Sequence, residues 1–110
     1  VAEADSDLTV SVTAPDSATV VLHVCGDVDM VTAAVLAEHV RQQQGTSIGT
    51  LVVDLSEVTF LGSAGLAVLA EAHDACRDRG VELRVVATSR MVLRPLQVTG
   101  LDTLLTIVTD

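Results

Sequence analysis

The stretch Asp54 to Leu69, DLSEVTFLGSAGLAVL, carries a change of hydrophobic period from two to 3.6 within sixteen residues. Leu51 to Leu55 is a short apolar run of the kind that forms a buried parallel strand, and the strand ends in Phe60-Leu61-Gly62. A helix opens at Ser63-Ala64-Gly65-Leu66 and runs to about Arg79, with Gly80 as its stop. At 100° per residue Leu66, Leu69, Ala72 and Cys76 share one side of it, opposite Glu71, Asp74 and Asp78. Ser63 falls where an N-cap belongs. Its hydroxyl there accepts from first-turn N–H groups, and the same groups with the helix dipole favour a phosphate on that residue. On the capping role, Ser63→Ala is expected to cost about 0.5–2 kcal/mol.

Outward from that segment the pattern repeats. Leu8 to Val12 and Ala18 to Cys25 flank Pro15-Asp16 and read as two antiparallel strands around a turn. In the second of them Val20, Leu22 and Val24 alternate with Val21, His23 and Cys25, giving the sheet a more buried and a less buried face. Gly26-Asp27-Val28-Asp29 is expected to break this strand, with Asp29 capping a helix from Met30 to about Gln44 and Gly45 ending it. After the central segment come a strand at Val81–Ala87, a short helix from Ser89 to Val98 bent at Pro95, and a last strand at Leu104–Val108. The order β-β-α-β-α-β-α-β defines a single α/β domain from Leu8 to Val108 with a mixed, mostly parallel sheet and flanking helices. Residues 1–7 read as an acidic tail.

Composition excludes several classes of function. The 110 residues are enough for one domain. Apolar residues make up 49% and Phe60 is the only aromatic, so the core is aliphatic and no ring platform exists for stacking bases. Six Arg and no Lys against fifteen acidic residues give a formal charge of −9, which repels nucleic acid and anionic membrane surfaces. The absence of Lys also excludes Schiff-base chemistry and a P-loop lysine. No signal peptide or membrane span is legible, and two cysteines fit a reducing compartment, so the cytoplasm is the expected location.

Three chemical readings fail on spacing. Gly-Ser-Ala-Gly at residues 62–65 resembles half of a nucleophile elbow, but Leu61 stands where the elbow has Gly. His73 lies ten residues along the same helix from Ser63, roughly 15 Å by helix rise, too far to act as its base. His23 and Cys25 alternate on one strand with no second pair of ligands, so neither metal nor cofactor is expected. Cys25 at a strand end and Cys76 thirteen residues into the second long helix lie roughly 20 Å apart by helix rise, beyond disulfide reach.

The segment Asp54–Leu69, with Gly26-Asp27-Val28-Asp29 and Val98-Thr99-Gly100-Leu101, resembles the STAS domains of bacterial anti-sigma factor antagonists over about Leu8 to Val108. In that family a phosphorylatable serine precedes a small residue, Gly and Leu; Ser63, Ala64, Gly65 and Leu66 match, and Gly62 stands where the family often has Asp. The resemblance implies a non-enzymatic protein that binds an anti-sigma factor acting also as a serine kinase. Phosphorylation of Ser63 ends that binding and a phosphatase restores it. Asp27 and Asp29, at the functional edge of a parallel sheet, are either turn and capping residues or part of the docking surface with Gly62, Ser63, Ala64, Gly65 and Leu66. Ser-Ala-Gly-Leu also resembles the STAS subunits that brace the ATPase of bacterial lipid-transport systems, which implies a structural accessory as the alternative.

Overall fold

The alternation along Val20–Cys25 does set the two faces of the sheet. In a computed structural model, which describes residues 8–109, Leu22, Val24, Leu51, Val53, Leu55 and Val85 are at most 2% exposed, whereas His23 and Cys25 point to the open side. The strands are β1 (Leu8–Asp16), β2 (Thr19–Val28), β3 (Thr50–Leu61), β4 (Glu82–Val86) and β5 (Thr106–Val108), lying side by side in that order. β1 pairs antiparallel with β2, and every later pair is parallel, so the mixed, mostly parallel sheet is as the pattern required. The helices are α1 (Ala33–Gln44), α2 (Ser63–Asp78), α3 (Arg90–Val98) and α4 (Leu101–Leu104). α1 packs against α2, and α3 against β3. Leu36, Val40, Leu69, Ala72, Cys76, Val92 and Leu96 close the core from the helices.

Several boundaries differ from the sequence-based expectation, each for a local reason. The first strand runs through Pro15 and Asp16, and the turn is Ser17-Ala18, where the Asp16 carboxylate accepts the Ala18 N–H at 2.8 Å. Pro15 is tolerated because β1 is an edge strand. Gly26 does not break β2: it takes a φ of 113°, open to glycine, and the strand continues to Val28 with register shifts against β3 on both sides of the Cys25–Gly26 step. β3, by contrast, runs on beside it to Leu61, the end expected at Phe60-Leu61-Gly62. Helix α1 starts at Ala33 rather than Met30, because residues 30–32 form a turn of their own. Leu101–Leu104 is a single helical turn, so the last strand begins at Thr106 and not at Leu104. The acidic tail at residues 1–7 lies outside the described residues.

The two thiols are free, Cys25 exposed and Cys76 buried on the inner side of α2. Burial pushes the Cys76 thiol above its ordinary range. Alkylation of the native protein is therefore expected to label Cys25 well before Cys76, and both after denaturation. A Cys25–Cys76 crosslink in a non-reducing peptide map of native protein would contradict this placement.

Candidate functional site

The extension of β2 and β3 beyond their bulges is what assembles the site. Asp27 pairs in register with Phe60 and Val28 with Leu61, so the two strand ends run together to the same edge. The Asp27 carboxylate accepts the Thr59 hydroxyl, and Val28 C=O accepts the Gly62 N–H at 2.9 Å. Gly62 thus binds the end of β3 to β2 and starts α2 as its N-cap in extended conformation. Leu66 N–H donates back to Gly62 C=O at 3.1 Å.

Ser63 is therefore the first helical residue and not the cap. No side-chain hydrogen bond caps α2, and Ser63 is exposed at the point where the first N–H groups of a sixteen-residue helix emerge. With Met30, Phe60, Gly62 and Ala64 it lines a shallow, open depression of about 390 Å³. Met30 is 85% exposed and Phe60 47%, the apolar neighbours of the hydroxyl, and Val31, next to Met30 in the chain, is 80% exposed. These three apolar residues were not legible as surface, since a Met, a Val and a Phe beside strands read as core. The one hint was that Met30 and Val31 fall between Asp29 and the periodic part of α1.

The remaining candidates support this surface. A Cβ at Gly65 would stand 2.5 Å from Val28 Cγ1 and 2.7 Å from Leu61 Cδ1, so the glycine lets α2 lie directly on the strand ends. Leu66 is half-buried and packed on the core. A Cβ at Gly62 would meet the Phe60 ring at 2.9 Å, so the ring lies across the space a side chain at 62 would occupy.

Asp29 is held within its turn. Its carboxylate accepts the Val31 and Thr32 N–H groups, both at 2.9 Å, while the Thr32 hydroxyl donates to Asp27 C=O at 2.6 Å and accepts the Asp29 N–H at 2.9 Å. Asp29 therefore braces Met30 and Val31 outward rather than capping α1 directly. The Thr32 N–H, then the Thr32 hydroxyl, hold the Asp29 carboxyl below its ordinary value of 3.8. On the open face of the sheet, burial works to raise Asp54, but the Ser56 N–H and hydroxyl and His23 Nδ1, 3.3 Å away, outweigh it and leave Asp54 lowered too. A carboxyl lowered by folding stabilises the protein above its unfolded-state value, and that contribution is lost as pH falls through the folded value. Side-chain NMR titration should accordingly find both groups titrating below 3.8, with stability declining below that pH. Midpoints at or above 3.8 would show that these hydrogen bonds do not persist in solution.

Among the described residues no group of three or more His, Cys, Asp or Glu is placed to hold a metal ion, and no helix is long and apolar enough to cross a membrane.

The arrangement is a small α/β domain with an exposed serine and apolar neighbours in an open depression at one sheet edge. The STAS domain profile matches residues 9–110, and the chain belongs to the STAS domain family. It is 39% identical over 98 residues to the anti-sigma-F factor antagonist RsfB of Mycobacterium tuberculosis, an alignment covering 81% of this chain and 80% of that protein. The crystal structure of an anti-sigma factor antagonist from Mycobacterium paratuberculosis superposes with a TM-score of 0.86 at 34% identity, over 94% of this chain and 86% of that one. The unphosphorylated form of the antagonist SpoIIAA shares the fold with a TM-score of 0.78 at 14% identity, over 93% and 90% of the two chains.

Proposed function

We propose that the protein is an anti-sigma factor antagonist that binds an anti-sigma factor with serine-kinase activity through the Ser63 surface, is released when Ser63 is phosphorylated, and so governs sigma-factor-dependent transcription in the cytoplasm. The observation that carries this reading is the exposed Ser63 hydroxyl at the first position of α2, beside the exposed Met30 and Phe60 and with Val31 exposed next to Met30 in the chain. Names of the mycobacterial relatives support an antagonist over a transporter accessory subunit.

The physical basis is an asymmetry between the free and the bound protein. A phosphate brings about −1.5 to −2 charges, which water and the N-terminus of α2 accommodate in the free domain. Against a partner seated on Met30, Val31 and Phe60, the same charge loses its water and finds an apolar surface. Binding is lost with no change of fold, and a phosphatase acting on the exposed phosphoserine restores it. Asp27, Asp29, Gly62, Ala64, Gly65 and Leu66 contribute by shaping and rimming that surface. The protein itself catalyses nothing in this scheme; it is a kinase substrate and a ligand.

The test is incubation with the anti-sigma factor kinase and ATP, followed by peptide mass mapping. Phosphate on Ser63 is expected. Ser56 and Thr59 are also exposed. Phosphate on either of them with Ser63 unmodified would overturn the assignment.

A further inference from the structure

Helix α3 has two apolar sides, and the core uses only one of them. Val92 and Leu96 are fully buried, while Met91 is 60% exposed, Val98 is 75% exposed, and both lie with half-buried Pro95 on the outer side. The spacing 91, 95, 98 is i, i+4, i+7, a straight stripe of two turns and roughly 10 Å. With Arg90 and Arg94 these residues line an open depression of about 510 Å³.

Half of the six arginines are paired within their own element. Arg41, Arg77 and Arg84 are each paired with a carboxylate of their own element, Glu38, Asp74 and Glu82, at 2.8, 3.7 and 3.0 Å. Among the described residues Arg79, Arg90 and Arg94 make no ion pair, although the chain carries fifteen acidic residues, and of these three only Arg90 and Arg94 line an apolar depression. Both are four apart on one side of the apolar stripe, so their guanidinium groups face the same strip of solvent.

We propose that the outer face of α3 is a second docking surface, separate in its residues from that around Ser63, and that it takes an acidic amphipathic helix of a protein partner. The stripe offers a groove for apolar side chains at i, i+3, i+4 and i+7, and Arg90 and Arg94 fix its register through bidentate contacts with carboxylates. A second copy of this chain is a poor occupant, because a two-fold contact through this face would bring the same arginines together. An anionic membrane is a poorer occupant than one helix, since its extended charged surface would face the acidic remainder of a chain of net charge −9, whereas a single helix lies along the two arginines.

The probe is a synthetic helix of about fifteen residues with leucines along one stripe and glutamates elsewhere, titrated into the isotope-labelled protein and followed by backbone NMR. Shifts confined to residues 89–99 are expected, together with weakening by about tenfold or more in the double variant Arg90→Glu, Arg94→Glu and in Met91→Ser, Val98→Ser. All four side chains are solvent-facing or rim the depression, and unchanged melting temperatures will verify that the variants fold. A lysine-for-glutamate version of the helix should not bind. The proposal is overturned if the acidic helix does not bind, if it shifts Met30, Phe60 and Ser63 instead, or if the variants or the lysine helix bind as well as the originals. Binding to anionic vesicles in preference to the peptide, or self-association lost on the same substitutions, would overturn it as well.

Discussion

Replacement of Gly65 by alanine is expected to destabilise the domain by about 1–3 kcal/mol, the range for overpacking a well-filled core. The added methyl would lie 2.5 Å from Val28 Cγ1 and 3.2 Å from Val28 Cβ, atoms next to the backbone of a fully buried, β-branched residue that cannot turn aside. Leu61 Cδ1 at 2.7 Å can move more easily, so Val28 decides the cost. Alanine's better helix propensity, worth up to about 1 kcal/mol over glycine, offsets only part of it. The melting temperature should fall by roughly 4–8 °C per kcal/mol lost. Because α2 must lift away to relieve the clash, Ser63 is displaced with it. The double variant Gly65→Ala, Val28→Ala tests the cause, since removing Val28 Cγ1 should make the pair less destabilising than the sum of the singles. A melting temperature unchanged in Gly65→Ala would show that the helix does not rest on the strand ends as described.

That glycine illustrates what the amino-acid pattern could and could not convey. The alternation of Val20, Leu22 and Val24 and the run from Leu51 to Leu55 identify the covered face of the sheet, because burial of a strand imposes a period of two on its own residues. Leu69, Ala72 and Cys76 identify the inner side of α2 for the same reason at a period of 3.6. Features that depend on a neighbouring strand leave no such trace. Gly26 looks like a terminator on its own, yet beside β3 it is a bulge residue that carries β2 onward to Asp27 and Val28. Ser56, Glu57 and Thr59 interrupt the apolar run of β3, and it is pairing with the extended β2 that carries the strand through them to Leu61. The four-residue α4 is too short to have a period at all. Ser63 was recognisable as the start of a helix, though whether Gly62 or Ser63 caps it depends on the bond from Gly62 N–H to Val28 C=O. The apolar surface of Met30, Val31 and Phe60 was hidden most completely, since exposure is a property of the assembled fold and not of residue type.

Ser63→Glu is expected to weaken binding of the anti-sigma factor by tenfold or more, of the order of 1.4 kcal/mol at least, while Ser63→Ala keeps wild-type affinity. The two substitutions separate charge from loss of the hydroxyl. Because no side-chain hydrogen bond joins Ser63 to the helix start, alanine removes no cap, and its effect on stability should lie within about 0.5 kcal/mol rather than the cost of a lost N-cap. Glutamate at the first position of α2 meets the positive end of the helix dipole, worth about 0.3–1 kcal/mol, so the free domain should be as stable as wild type or slightly more so. Any loss of affinity then arises in the complex, where the carboxylate must be desolvated against a partner fitted to Met30, Val31 and Phe60. Isothermal calorimetry on the three proteins, with melting curves alongside, gives both quantities. Equal affinities for wild type and the glutamate variant would remove charge at Ser63 as the switch. Loss of binding in the alanine variant would instead assign the hydroxyl itself to the interface.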